Sequence, residues 1–349
     1  MSVHLSSLAV IYKEKLRRPF LRQFLRFLRC LPRMLFRGRG GCSLKVMCGL
    51  TYRCPCSCAH CGMSGYEVSP ADELSTGEVL RLIEDVSALP YGLILFSFFG
   101  GEPLLREDLP LLVAGAVKHG LFTEIETSGM NMTPEKILSL KRAGLNHVFI
   151  SLDSAAEERH DSSRGIAGAY RSALSAIENC RRNGLPFSLS VCVTETSPDA
   201  DIRDLIVLAK RHKAASVRLL FKADVAAHLR GGRYDLCEAE TGAKNRLDRF
   251  LELNYVYAEY SGASTAAERK VCPALLKWFF YVSCYGEIQP CPYFPYNFGN
   301  VRESPLEKVV KRMWSNELFD CGSAECMTNS GEIKARMRGL SYPVLSRAK

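Results

Sequence analysis

No apolar run in this 349-residue chain approaches the ~18 residues of a membrane-spanning helix, so the chain is not expected to cross a bilayer. No secretory signal pattern opens it either: the short apolar stretch "LSSLAVIY" leads into dense basic sequence rather than a small-residue cleavage site. Tandem repeats of the solenoid kind are missing. The body also has no positive surplus. Net charge is +9, but residues 1–45 hold eleven Lys/Arg against Glu14 alone, which leaves the other 304 residues at −1. A nucleic-acid enzyme needs basic groups around its cleft, so that class is excluded. What is plentiful is cysteine, with fifteen in the chain. In the absence of a signal segment, a disulfide framework fits poorly and clustered thiols point to metal or redox chemistry.

From residue 46 to 221 short apolar strands alternate with amphipathic helices. The expected strands are "VMCGLTY" (46–52), "LILFSF" (93–98), "FTEIET" (122–127), "HVFISL" (147–152), "FSLSVCV" (187–193) and "SVRLLF" (216–221). Helices are expected from about Ser75, Leu105, Thr133, Ile166 and Ala200, several of them behind capping or acidic residues. This alternation predicts an α/β fold with a parallel sheet and outer helices, either open or a partial barrel, and a site at the C-terminal strand ends. Residues 222–270 lose the rhythm and read as a connecting segment. A second cysteine-bearing region spans 271–330, and 331–349 form a tail.

"LTYRCPCSCAHC" (50–61) puts four cysteines into eight positions directly after the first strand. Cys54, Cys58 and Cys61 have the spacing C-x3-C-x2-C. Three thiolates there can hold three irons of a [4Fe–4S] cube and leave the fourth iron open to a small chelating molecule. A zinc site, usually built from four protein ligands, is the alternative. Cys56 is expected to point away. "FFGGEP" (98–103) follows the second strand, where adjacent glycines admit a ligand close to the backbone.

With C-x3-C-x2-C on one strand end and GGEP on the next, residues 46–221 resemble the radical S-adenosylmethionine (radical SAM) superfamily. The resemblance implies a partial (β/α)6 TIM-type barrel and a 5′-deoxyadenosyl radical that takes a hydrogen atom from an unactivated C–H bond. It further implies that Cys54, Cys58 and Cys61 ligate the cluster while SAM chelates its open iron. By position, His60 contacts the cofactor, and Gly100, Gly101, Glu102 and Pro103 meet the methionyl amine. Thr127, Ser128, Ser151 and Asp153 contact ribose or substrate; ordinary turn-capping is the competing role of those four.

Downstream, Cys272 is separated by thirteen residues from Gly286, and Gly286 by four more from Cys291. The glycine reads as a hairpin turn that brings Cys272 and Cys291 together. With "FGNV", a helical stretch and "CGSAEC", this resembles the small C-terminal iron–sulfur extension called SPASM, or its shorter twitch form. The central C-x2-C-x5-C-x3-C run of a full SPASM domain is missing, so one auxiliary [4Fe–4S] cluster is expected, held by Cys272, Cys291, Cys321 and Cys326 with Cys284 in reserve. A zinc knuckle is the alternative. Cys30, Cys42, Cys48, Cys180 and Cys237 are expected to pack as small apolar groups or lie exposed. If Cys192 faces the lumen it can donate a hydrogen atom to a substrate radical. Arg218 is a candidate grip for an anionic substrate, or else a barrel salt bridge.

The arm, residues 1–45, contains "RRPFLRQFLRFLRCLPRMLF" (17–36), whose arginines and Leu/Phe residues fall on opposite sides of a helix. That suits peripheral contact with a membrane surface; a helix docked on the barrel and an organelle-targeting peptide are the alternatives. The expected function is a cytoplasmic radical SAM enzyme, peripheral at the inner membrane face if the arm binds lipid. It oxidises or otherwise modifies a small molecule or peptide, with a lipid substrate or a non-enzymatic scaffold as rivals. A flavodoxin- or ferredoxin-like electron donor is implied.

Overall fold

Residues 43–58, 60–194, 197–221, 250, 255–259, 272–294 and 296–319 are described by a computed structural model. The arm before residue 43, with Cys30 and Cys42, lies outside them, as do Cys237, Cys321, Cys326 and the tail.

Six parallel strands follow one another in order: β1 (Ser43–Gly49), β2 (Leu93–Phe99), β3 (Phe122–Thr127), β4 (His147–Ser151), β5 (Phe187–Val193) and β6 (Val217–Phe221). Helices separate them: α1 (Thr76–Ala88), α2 (Leu109–Lys118), α3 (Pro134–Ala143), α4 (Glu157–Arg164), α5 (Ala169–Asn183) and α6 (Asp199–Arg211). Local chemistry sets the ends. Ser75 and Glu78 form a reciprocal capping box at the start of α1, a device worth about 1 kcal/mol. Gly144, in the left-handed region at φ 93°, closes α3. The helix expected near Leu105 starts at Leu109, because Pro103–Leu105 first make a 3-10 turn.

Strand residues alternate. Leu44, Val46, Ile94, Phe96, Ile125, Val148, Ile150, Leu189, Val191 and Leu219 are buried in the apolar layer under the helices. The opposite face is polar and charged: Lys45 Nζ lies 2.8 Å from Glu124 Oε1, and Arg218 Nη2 lies 2.8 Å from Glu126 Oε2. The period-two pattern thus gives a hydrophobic outer layer and a polar lumen.

Three strands extend the sheet beyond the six read from sequence. β7 (Val256–Glu259) adds in parallel to β6, so the segment read as a plain connector contributes an edge strand. β8 (Phe279–Val282) adds in parallel to the free edge of β1, and β9 (Ile288–Gln289) returns antiparallel to β8. The sheet order is β7-β6-β5-β4-β3-β2-β1-β8-β9. The hairpin expected at Gly286 is present, with φ 87° at that glycine. After it, α7 (Leu306–Trp314) buries Leu306, Val309, Val310 and Met313.

Candidate active site

The glycines set the geometry of the strand ends. Gly101 N donates to Thr51 O at 2.6 Å and Glu102 N to Arg53 O at 2.8 Å, so the GGE backbone runs against the segment that enters the cysteine loop. A β-carbon on Gly100, where φ is 137°, would run into the Thr51 carbonyl oxygen, and one on Gly101 into that of Arg53. This close approach brings Cys54, Cys58, His60 and Cys61 to one pocket with Gly100 and Gly101.

The carboxylate of Glu102 is fully buried. It accepts from Thr127 Oγ1 at 2.7 Å, Ser128 Oγ at 2.5 Å, Ser128 N at 2.9 Å and Leu104 N at 3.2 Å. Burial raises its pKa, against the pull of the Ser128 and Thr127 donors. Glu102 therefore braces the GGEP turn against the end of β3 and is absent from the pocket wall, while Thr127 and Ser128 line it and spend their hydroxyls on Glu102. Pro103 is buried as the first residue of the 3-10 turn.

Ser151 lines the pocket, whereas Asp153 stands behind it. Asp153 Oδ1 accepts from Arg164 Nη2 at 2.7 Å and Cys192 N at 2.9 Å, and Oδ2 accepts from Ser163 Oγ at 3.0 Å. His60 Nε2 lies 3.7 Å from that same Oδ2. Burial works against the Asp153 charge, but Arg164 and then His60 outweigh it and lower its pKa.

Arg164, which the sequence reading did not single out, lines the pocket and places Nη1 3.8 Å from Cys58 Sγ. Its backbone carbonyl accepts from Ser57 N at 2.9 Å, which ties the end of α4 to the cysteine loop. Buried and joined to one carboxylate, it puts a fixed positive charge on the pocket wall beside Cys58. Sequence periodicity missed α4 because "EERHDSSR" contains no apolar residue; its buried face is His160 and Arg164.

Cys56 does not point away. Its thiol lines the pocket and lies 3.6 Å from Met130 Sδ, and its amide donates to Cys54 Sγ at 3.4 Å. Hydrogen bonding from Cys56 lowers the Cys54 pKa, and the contact with Cys54 pushes Cys56 up to about 11.

Deeper in the pocket are Glu126, Ser190, Cys192 and Leu220. Arg218 meets Glu126 through two bonds, of 3.1 and 2.8 Å, and Ser190 Oγ at 3.1 Å, with its guanidinium 4.0 Å above the Phe149 ring. Of its two expected roles, the geometry shows the salt bridge, and of this pair Glu126 is the member that lines the pocket. Cys192 faces inward. Cys48 and Cys180 are buried, and burial pushes both thiols up to about 12.

Three thiols, a glycine cradle and a buried guanidinium on one pocket suit a [4Fe–4S] cluster with SAM. Among the described residues no three His, Cys, Asp or Glu side chains converge on one point as a single metal ion would need. In the C-terminal region Cys272 is buried and Cys291 packs against the same core. The hydroxyl of Tyr66 and both ends of the Gln289 carboxamide are buried without a hydrogen-bond partner among the described residues.

The radical SAM superfamily model matches residues 49–209, and the SPASM iron-sulfur cluster-binding domain model matches 272–329. An AdoMet-dependent heme synthase of Methanosarcina barkeri is 28% identical over 292 residues, covering 77% of this chain and 82% of its own. A PqqA peptide cyclase of Rhodopseudomonas palustris is 29% identical over 259 residues, covering 72% and 67%. Streptococcus suis SuiB bound to S-adenosylmethionine matches the fold with a TM-score of 0.64 at 14% identity, covering 88% of this chain and 77% of that one.

Proposed function

We propose that the chain, matched by the radical SAM superfamily model over residues 49–209 and by the SPASM model over 272–329, is a radical SAM enzyme that oxidises a small molecule or peptide by removing a hydrogen atom from a C–H bond held in the barrel lumen. The observation that carries this reading is the continuity of one pocket, from Cys54, Cys58 and Cys61 at the rim to Glu126, Ser190 and Cys192 in the lumen. Cluster and SAM, when bound, supply the 5′-deoxyadenosyl radical that accepts the hydrogen atom.

The chain's own groups hold and shield. Cys54, Cys58 and Cys61 would ligate the cluster. Gly100 and Gly101 let the methionyl end approach the backbone, and Glu102 keeps their turn rigid. Arg164 would pair with the methionyl carboxylate. His60 and Ser151 would bound the nucleoside, and Glu126, fixed by Arg218, would orient the substrate through a donor on it. A buried lumen keeps out stray hydrogen donors. The SPASM cluster at Cys272 and Cys291, completed by Cys321 and Cys326, would take the second electron from the substrate, making the net change an oxidation. A flavodoxin- or ferredoxin-type donor would reduce the first cluster.

The similarity to a protein named for heme synthesis and to one named as a peptide cyclase supports a small molecule or a peptide as substrate. The inward position of Cys192 favours a second outcome, in which its thiol returns a hydrogen atom to the substrate and the thiyl radical left behind is reduced by one electron from the flavodoxin- or ferredoxin-type donor and a proton from water. Turnover in D2O separates the two: deuterium in the product that disappears in Cys192→Ala marks the second.

The test of the class is anaerobic iron and sulfide counting with SAM turnover under dithionite. About eight irons in the parent, about four in a Cys54/Cys58/Cys61→Ala variant, and 5′-deoxyadenosine from the parent alone are expected. Cys56→Ala is expected to keep the full iron count. Zinc in place of iron would overturn the reading and support a scaffold.

A further inference from the structure

Arg164 is the last residue of α4, and the end of this helix is pressed onto the cysteine loop. Gly165 stands in the left-handed region at φ 65°, where a β-carbon would run into the Ser57 carbonyl oxygen. Ser57 N in turn donates to the Arg164 carbonyl oxygen at 2.9 Å. Ser57 precedes Cys58, so this double contact sets Cys58 against the Arg164 side chain.

The guanidinium divides its nitrogens between two partners. Nη2 donates to Asp153 Oδ1 at 2.7 Å, and Nη1 lies 3.8 Å from Cys58 Sγ, within hydrogen-bond reach of a sulfur. Asp153 is itself anchored by the Cys192 amide and the Ser163 hydroxyl, so the carboxylate that holds the arginine is fixed. In the lumen, Arg218 instead spends both terminal nitrogens on Glu126. Arg164 keeps one for the thiol.

Burial gives that contact its weight. The side chains of Arg164 and Asp153 are 10% and 4% exposed. Nε of Arg164 is buried with no hydrogen-bond partner among the described residues. A cation this far from water is weakly screened, and its field falls on the sulfur beside it.

We propose that Arg164 donates from Nη1 to the Cys58 thiolate when that thiolate ligates the cluster, and that this bond raises the reduction potential of the SAM-binding cluster. Reduction adds one negative charge to the cluster, and a charged donor at a ligating sulfur stabilises that state. Arg164 acts here through Cys58 and is a positioning residue. The proposal rests on the radical SAM reading above. It is separate from pairing of the arginine with a methionyl carboxylate, which requires SAM to be present.

The full chain is reconstituted, its iron is counted, and it is titrated with EPR detection in the absence of SAM. No carboxylate of SAM then competes for the guanidinium. The Cys54/Cys58/Cys61→Ala chain, titrated alike, supplies the blank for the auxiliary cluster. Arg164→Lys keeps a charge beside Asp153 but loses the second nitrogen. It is expected to lower the reduced-to-oxidised ratio of the first cluster at a fixed poise by about tenfold, a shift of about 59 mV for one electron. Arg164→Gln, which removes the charge as well, should shift at least as far in the same direction. Unchanged potentials in both at the parent's iron content overturn the proposal and leave the class reading standing. Iron no higher in the parent than in the triple-alanine chain overturns the class reading and the proposal with it. If neither variant assembles the first cluster, the parent decides. Pulsed EPR of the reduced chain with isotope-labelled guanidinium nitrogen is expected to show a nitrogen coupling to that cluster, and its absence overturns the proposal.

Discussion

Arg164 donates from Nη2 to Oδ1 of Asp153 at 2.7 Å, and this pair holds together three parts of the site. Through the arginine it reaches Cys58, through Asp153 Oδ1 the amide of Cys192, and through Oδ2 the hydroxyl of Ser163. A single buried ion pair thus links the cysteine loop, the end of β5 and α4.

Arg164→Ala and Asp153→Ala are each expected to destabilise the fold by about 3–5 kcal/mol, because each strands a buried charge. The double variant should lose less than the sum, by about 1–3 kcal/mol, in urea melts. Conservative replacement by Lys, which cannot span both Asp153 and Cys58, should weaken SAM binding by at least about tenfold at unchanged iron content. Equal SAM affinity in parent and Arg164→Lys would show that the guanidinium does not face the cofactor.

Stability should fall on mild acidification. Burial, reinforced by Arg164, lowers the His160 pKa to about 4, and its Nδ1 accepts from Asp153 N at 3.0 Å. With an unfolded value near 6.5, the unfolded chain takes up the proton first, so stability present above about pH 6.5 is lost as pH falls toward 4. Asp153, whose pKa is depressed, adds a loss that begins below about pH 3.9. His160→Asn keeps an acceptor for the amide and should flatten the upper part of this profile in denaturant titrations at several pH values.

Gly100→Ala and Gly101→Ala should fail at cluster assembly rather than at turnover. Each β-carbon meets a backbone carbonyl oxygen that cannot swing aside. Iron content is expected to drop to about four per chain, the auxiliary share. Gly168→Ala is the control: its added β-carbon would meet nothing within 4 Å, and although φ there is 83°, its iron content should remain that of the parent.

Glu126→Gln should separate substrate handling from SAM chemistry. The carboxylate lines the pocket and is held by two bonds from Arg218, and the amide preserves its shape. Uncoupled 5′-deoxyadenosine formation is expected within about twofold of the parent, while modified product falls by about tenfold or more for one lost charge-assisted bond. A parallel loss of both would place Glu126 in SAM binding instead.

Much of the barrel was legible because its strands are short apolar runs and its longer helices carry capping residues. "FTEIET" and "FSLSVCV" match β3 and β5 residue for residue. Elements without that signature were lost. β7 is four residues, "VYAE", inside an Ala/Gly/Glu-rich stretch, and α4 has no apolar residue to set a period. With α4 went Arg164, a buried cation on the pocket, and so its pairing with Asp153, which the sequence offered as a ribose or substrate contact or a turn cap.

Sequence alone determined the chemistry: three cysteines at C-x3-C-x2-C, a GGEP one strand later and a Cys-Gly-Cys framework downstream are local patterns, readable because their ligands sit within a few residues of one another. Tertiary structure decided which polar groups face each other. That Glu102 binds Thr127 and Ser128, that Arg218 is spent on Glu126, and that the Tyr52 hydroxyl meets that of Tyr281 each depend on contacts 25 or more residues apart. Such pairs form only when the strands come into register and burial leaves each charge or hydroxyl no water to turn to.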